Sequence, residues 1–199
     1  MAFVGFRAFM GDAAQYAAMS AVGKNKMIEL GASSARTSVV LSGPAVGSAQ
    51  IATVFDTADA YYEASAAALG DAAVQSAMAG ANAVQTNAGL LRLETETGDC
   101  SGAYMVASQV RNATSATPAD WEEVKSVIEN SMLGEGVNGY RGVSMVAAGE
   151  MTGAYGNLFY TDSVDAVVNA SANPSPAMAS LMQRLGVAVV NRVITRTID

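Results

Sequence analysis

The chain has 199 residues, of which 51% are apolar and 15% charged, with a net charge of −7, one cysteine and no histidine. Its eleven basic residues are scattered along the sequence, so it lacks the cationic stripe that tracks phosphates, and nucleic acid is not an expected partner. Without histidine there is no Ser-His-Asp or Cys-His arrangement, and a principal zinc ligand and the usual proximal haem ligand are missing.

The N-terminus, Met1-Ala2-Phe3-Val4-Gly5-Phe6-Arg7, has no basic segment before its apolar stretch and alternates as a strand does. With no secretion signal, no unbroken apolar run of membrane-spanning length and a lone Cys100, the expectation is a cytoplasmic protein without a membrane partner. Asn112-Ala113-Thr114 has the form of a glycosylation sequon but is read as ordinary chain in that setting.

Phe3–Met10 is predicted as a strand, and Asp12 as the start of a helix to about Leu30, with Tyr16, Met19, Met27 and Leu30 at helical spacing. Two strands, Ser38–Ser42 and Ser48–Phe55, flank the turn Gly43–Gly47. Asp56 is predicted to cap the next helix, which breaks at Gly70-Asp71, resumes, and yields to a strand over Gly89–Glu96. The order then recurs. Tyr104–Arg111 matches the first strand in pattern, and Thr117-Pro118-Ala119-Asp120 supplies a cap, a proline at the first helical position and an acid at the third. Trp121, Val124 and Ile128 form the buried stripe of that helix. Strands Val143–Ala148 and Ala154–Thr161 flank Gly149–Gly153, and Asp162 is placed as a cap. The last helix breaks at Asn173-Pro174-Ser175-Pro176 before a terminal strand Val187–Thr197.

The recurrence is visible in the residues themselves. At an offset of 106, Ser38–Ser65 lies on Ser144–Ser171 with nine identities in 28 positions: Ser38/Ser144, Val40/Val146, Gly43/Gly149, Gly47/Gly153, Asp56/Asp162, Asp59/Asp165, Ala60/Ala166, Ala64/Ala170 and Ser65/Ser171. At an offset of 100, Leu90–Asp99 lies on Val190–Asp199 and shares Arg92/Arg192, Thr95/Thr195, Thr97/Thr197 and Asp99/Asp199. Two tandem ferredoxin-like βαββαβ modules follow, an α+β class, over 1–99 and 103–199 with 100–102 as linker. Right-handed crossovers put both helices of a module on one sheet face. The strands are apolar on their other face too, so the two sheets are expected to pack face to face.

This pattern resembles the dimeric α/β-barrel superfamily in a fused form, with both modules in one chain. The resemblance covers nearly the whole sequence and rests on repeat and topology. It implies kinship with antibiotic-biosynthesis monooxygenases, stress-responsive barrel proteins, haem-degrading and chlorite-dismutase-like proteins and ligand-sensing domains. The haem branches that use a histidine ligand do not suit a chain without histidine.

Candidate site residues follow from strand alternation. Arg92 and Arg192 hold equivalent places on the final strands, and with Leu91 and Leu93 assigned to the helix side both arginines point away from the helices. Arg7 lies between Phe6 and Phe9. Tyr155, Asn157 and Phe159 share a face, which Tyr104 joins, and mix a phenol, an amide and a ring as small-molecule pockets do. For each arginine a structural reading, as an ion pair or an edge residue, stands beside the ligand-binding one. Gly134-Glu135-Gly136-Val137-Asn138-Gly139 matches a dinucleotide-loop pattern, but a helix precedes it and a strand follows, the reverse of a phosphate cradle. Trp121 and the eleven methionines are read as core, and Asp56, Asp59, Asp162 and Asp165 as helix-terminal acids rather than metal ligands.

Three functions remain open on these grounds. The first is a barrel protein that binds a small, partly apolar molecule between its sheets, with no cofactor and with self-association left open. The second is a cofactor-independent monooxygenase or related small-molecule enzyme, an activity the resemblance implies. The third is a structural or assembly module with a filled interior.

Overall fold

A computed structural model of the chain describes residues 2–198; Met1 and Asp199, the latter a member of the Asp99/Asp199 match, lie outside the described residues. The element order is β1 (Phe3–Met10), α1 (Tyr16–Glu29), β2 (Ser34–Val40), β3 (Ala49–Phe55), α2 (Ala58–Gly70), α3 (Ala72–Gly80) and β4 (Val84–Gly98). It repeats as β5 (Tyr104–Arg111), α4 (Pro118–Ser131), β6 (Val137–Ala147), β7 (Tyr155–Thr161), α5 (Val164–Ala172), α6 (Pro176–Leu185) and β8 (Ala188–Thr197). In each half the order is β-α-β-β-α-β, with the second helix broken in two, as the sequence predicts. No helix among the described residues is long and apolar enough to cross a membrane.

The described residues form two compact units, one of 2–92, 146–152 and 196–198, the other of Leu93–Met145 and Gly153–Thr195. The repeat places its boundary at 100–102; compactness places it at Arg92/Leu93, inside β4. In the first unit β1 runs antiparallel between β3 and β4, and β2 pairs with the far edge of β3. In the second, β7 lies antiparallel between β5 and β6.

Local chemistry explains the helix ends. Asp71 closes α2 and opens α3, its carboxylate accepting from the amides of Ala73 and Val74. Thr117 and Asp120 form a reciprocal capping box on α4, with Pro118 at the first helical position. Two helix caps and three strand starts differ from the sequence expectation. Thr57, not Asp56, caps α2 by accepting from the Ala60 amide, and Ser163, not Asp162, holds the cap position of α5. Asp162 instead accepts from the Ala103 amide (2.8 Å) and from Asn138 Nδ2 (3.1 Å), which hold its carboxyl below the ordinary carboxylate range. Strands β2, β4 and β6 each begin four to six residues earlier than alternation suggested, as polar stretches such as Ser34–Thr37 and Val84–Ala88 are recruited by pairing with apolar neighbours.

The hairpins also correct the repeat. Val40 donates to Ser48 and accepts from Gly47, whereas in the second half Met145 donates to Ala154 and accepts from Gly153. Gly47 and Gly153 are equivalent, both with positive φ of 86° and 83°. Val40 is therefore the counterpart of Met145, so Ser38/Ser144 and Val40/Val146 are chance identities, one residue out of register. Gly134 and Gly136, both with positive φ, form the turn between α4 and β6, as expected, whereas Gly139 lies inside β6.

Each core lies between helices and sheet. Phe55, Tyr61, Met27, Ala64 and Leu90 anchor the first; Val106, Ile128, Tyr140, Phe159 and Val167 anchor the second. Asp120 is buried and accepts from the Thr117 hydroxyl (2.7 Å) and from Arg184 Nη1 (2.5 Å). These bonds, the Thr117 hydroxyl foremost, lower its pKa from 3.8 to about 2. A carboxylate depressed on folding contributes stability that is complete above its unfolded value and is lost as pH falls toward its folded value. The melting temperature of the wild type is expected to drop between pH 4 and pH 2 more steeply than that of Asp120→Asn, which is already destabilised at pH 7. Parallel profiles in thermal scans would show that Asp120 carries no such linkage.

Candidate functional site

A hollow of about 170 Å³ lies within the second unit, between the sheet and α4, α5 and α6. Its floor is built from residues at period two: Ser108 and Val110 from β5, and Tyr155, Asn157 and Phe159 from β7. Trp121, Val124 and Ile128 close it from α4, and Ala170, Ser171, Met178 and Leu181 from α5 and α6. Arg192 enters from β8 and Asn112 from the segment after β5.

The polar groups of the wall are unevenly satisfied. Asn157 Oδ1 accepts from the Tyr140 hydroxyl at 2.7 Å. Tyr140 is fully buried, and burial pushes its phenol well above the ordinary range, so it serves as a fixed donor. The Tyr155 hydroxyl accepts from the Ala116 amide (3.2 Å), leaving its own proton to donate, while its ring meets the Trp121 indole edge-on at 5.7 Å. Arg192 Nε donates to Ser108 Oγ (3.3 Å), and no carboxylate pairs with Arg192 among the described residues. Asn112 Oδ1 is buried with no hydrogen-bond partner. No Asp, Glu, Cys or His lines the hollow.

These placements correct the expected faces. Leu90, not Leu91, belongs to the helix-packed core, so Arg92, two residues on, shares the helix side of β4; Ile194 does the same for Arg192. Tyr155, Asn157 and Phe159 likewise face the helices of their own unit. Arg192 and these three residues therefore meet in one hollow between sheet and helices, not on the opposite sheet face. Arg92 is half-buried and lines none of the cavities described here, and Tyr104, although on the helix side of β5, does not reach this one.

Arg7 belongs to the first unit, where the corresponding space has shrunk to about 60 Å³. In register it faces Ile51 across β1 and β3, as Ser108 faces Asn157 across β5 and β7. It donates to Gln85 Oε1 (2.5 Å), and its Nε is buried without a partner. Ser65 and Ser171, identical in the repeat, line the two spaces at matching places. The first copy thus has Ile51 and Ala49 where the second has Asn157 and Tyr155, and the space between sheet and helices is the roomier in the second; Arg7 also borders a more open hollow of about 300 Å³ with Tyr61, Tyr62 and Gly89.

Sequence reasoning missed Trp121, Ser108, Ser171 and Asn112 as wall residues. Trp121 is core, as expected, but also borders the hollow. The Ser65/Ser171 identity was the available signal; nothing local distinguishes Asn112. Burial raises the Cys100 thiol to about 11, which keeps it protonated at neutral pH and unsuited to nucleophilic work. No group of three or more potential metal ligands occurs among the described residues.

No protein-family model matches the chain, and no curated protein matches it in sequence. Solved structures do. A candidate monooxygenase from Fusobacterium nucleatum aligns over 100% of this chain and 93% of its own at 10% identity, with a TM-score of 0.65. One from Lactobacillus acidophilus aligns over 98% and 92% at 12% identity, with a TM-score of 0.64. A haem-binding protein from Thermus thermophilus aligns over 100% and 91% at 10% identity, with a TM-score of 0.59. Haem itself does not fit the hollow described above: the chain offers no histidine, and about 170 Å³ falls below the range that holds even drug-sized ligands. Likeness at this identity speaks for architecture alone. An α+β chain in which the ferredoxin-like order β-α-β-β-α-β occurs twice, matched end to end by these structures, shares their fold.

Proposed function

We propose that the second unit binds a small, partly apolar molecule in the hollow between its sheet and helices. The observation that carries this reading is an apolar space of about 170 Å³ into which Arg192, Asn112 and Tyr155 converge from separate elements with hydrogen-bonding capacity left over. A space this size is close to the roughly 150 Å³ cavity known to admit benzene. Packed cores seldom leave such room, so a purely structural module is the weaker reading.

Trp121 is the one tryptophan of the chain and borders the space, so its emission reports occupancy. p-Cresol and benzyl alcohol are expected to shift that emission and to raise the melting temperature, by linkage worth about 2.7 kcal/mol at a hundredfold excess over Kd. Ala170→Phe, which fills the space from α5, is expected to abolish both responses while circular dichroism stays native. Responses that survive in Ala170→Phe would place binding elsewhere.

A second reading is cofactor-independent oxygenation of the bound molecule, favoured by the likeness to candidate monooxygenases and by a cation suited to stabilising a phenolate or enolate beside apolar walls. With no carboxylate or histidine in the wall, the substrate would have to arrive as its own anion or lose its proton to solvent. Oxygen uptake with a panel of polyphenols tests it, and absence of uptake across the panel by protein that binds them sinks it.

A further inference from the structure

The charge and hydrogen-bond demands of the wall narrow the ligand, an inference that rests on the binding reading above. Arg192 engages Ser108 through Nε, which leaves the two terminal nitrogens of the guanidinium, the fork that matches a carboxylate in two parallel bonds. No acidic side chain lines the hollow to compensate it, and a half-buried cation against apolar walls is best matched by an anion brought in from solvent. Asn112 Oδ1 makes the complementary demand: a buried acceptor without a partner asks for a hydroxyl or amine on the ligand. Between these polar points the wall is aromatic and aliphatic, with Trp121 and Phe159 among its rings, and the volume admits one ring but not a fused polycycle.

We infer that the ligand is a single-ring monocarboxylic acid carrying a hydroxyl or amino group, its carboxylate on Arg192 and its donor on Asn112. The arrangement is specific to the second unit. In the first, the smaller space takes its arginine from β1, and Gln85 already occupies one terminal nitrogen of Arg7.

The test titrates 4-hydroxybenzoate, benzoate, benzyl alcohol and p-cresol against the full chain, read by Trp121 emission and by calorimetry. Benzoate is expected to bind about 10- to 100-fold tighter than benzyl alcohol, and 4-hydroxybenzoate tighter still. Arg192→Met is expected to erase the preference for acids while leaving p-cresol affinity within a few-fold. Arg192→Lys, which keeps the charge without the fork, serves if the methionine variant does not fold, and is expected to lose part of the preference. Asn112→Leu is expected to bring 4-hydroxybenzoate down to the benzoate level. Acids that bind no tighter than their neutral counterparts overturn this ligand class and leave the binding hollow standing. If no probe perturbs Trp121 or releases heat, the binding reading falls with it.

Discussion

Replacing Phe55 by alanine is expected to destabilise the protein by about 3–5 kcal/mol, the usual cost of emptying a large aromatic site in a packed core. Phe55 is 1% exposed at the end of β3, opposite Phe3 in register, and sits among Met27, Tyr61, Ala64 and Leu90. Its ring meets Tyr61 edge-on with centroids 6.1 Å apart, adding an aromatic contribution to the area it buries. Tyr61 cannot swing in to fill the void without breaking its own place, since its ring already rests on the backbone of Gly5, where a Cβ would lie 1.9 Å from it. Urea unfolding at pH 7 followed by circular dichroism measures the change. A loss below about 1 kcal/mol would mean that the site collapses freely and is not the fixed core described here.

The second large effect links stability to the site. Gly142 on β6 faces Asn157 in register, and a Cβ there would lie 2.6 Å from Trp121 Cζ3 and 2.9 Å from Thr95 Cγ2. Both neighbours are buried, so neither yields cheaply. Gly142→Ala is expected to cost about 1–3 kcal/mol by overpacking. Since the indole also borders the hollow, relief of the clash by movement of Trp121 should alter the ligand space. The expected signs are a shifted tryptophan emission in the free protein and weaker binding of p-cresol. Unchanged emission and affinity would show that the strain is relieved in the strands and that Trp121 does not set the shape of the wall.

The hollow depends on a division of labour between the two copies. The modules share Ser65 and Ser171, but the space beneath the helices is about 60 Å³ in the first and about 170 Å³ in the second. Substitution at a few strand positions, notably Ile51 against Asn157 and Ala49 against Tyr155, is enough, because each β3 or β7 side chain of that parity projects into the same layer beneath the helices.

Much of the architecture was legible because it depends on local chemistry. The break at Gly70-Asp71, the capping box of Thr117 and Asp120, the restart at Pro176 and the extents of β1 and β5 follow from φ restrictions, orphaned amides and strand alternation, which act within a few residues. The repeat reveals itself because turn and cap positions tolerate few residue types. Caps shifted by one: on α2 the Thr57 hydroxyl, adjacent to Asp56, offers an equivalent oxygen and the path of the chain selects it, while on α5 Ser163 holds the cap position without a side-chain bond because Asp162 is engaged by Ala103 and Asn138.

Which way the strands face was decided by tertiary structure. Alternation sorts residues into two sets, and where one face meets water the polar set declares itself. In β4, β7 and β8 both sets contain apolar residues, so period two alone does not say whether Arg192 and Asn157 look toward the helices. The answer depends on which set the helices cover, and Leu90, Phe159 and Ile194 settle it through contacts distant in sequence. Sequence by itself thus determined the order of elements, their doubling and the chemistry the chain lacks. Only the packed structure determined that Arg192, Asn112, Tyr155 and Trp121 share one hollow, because a void is the difference between side-chain volumes brought together from six separate elements.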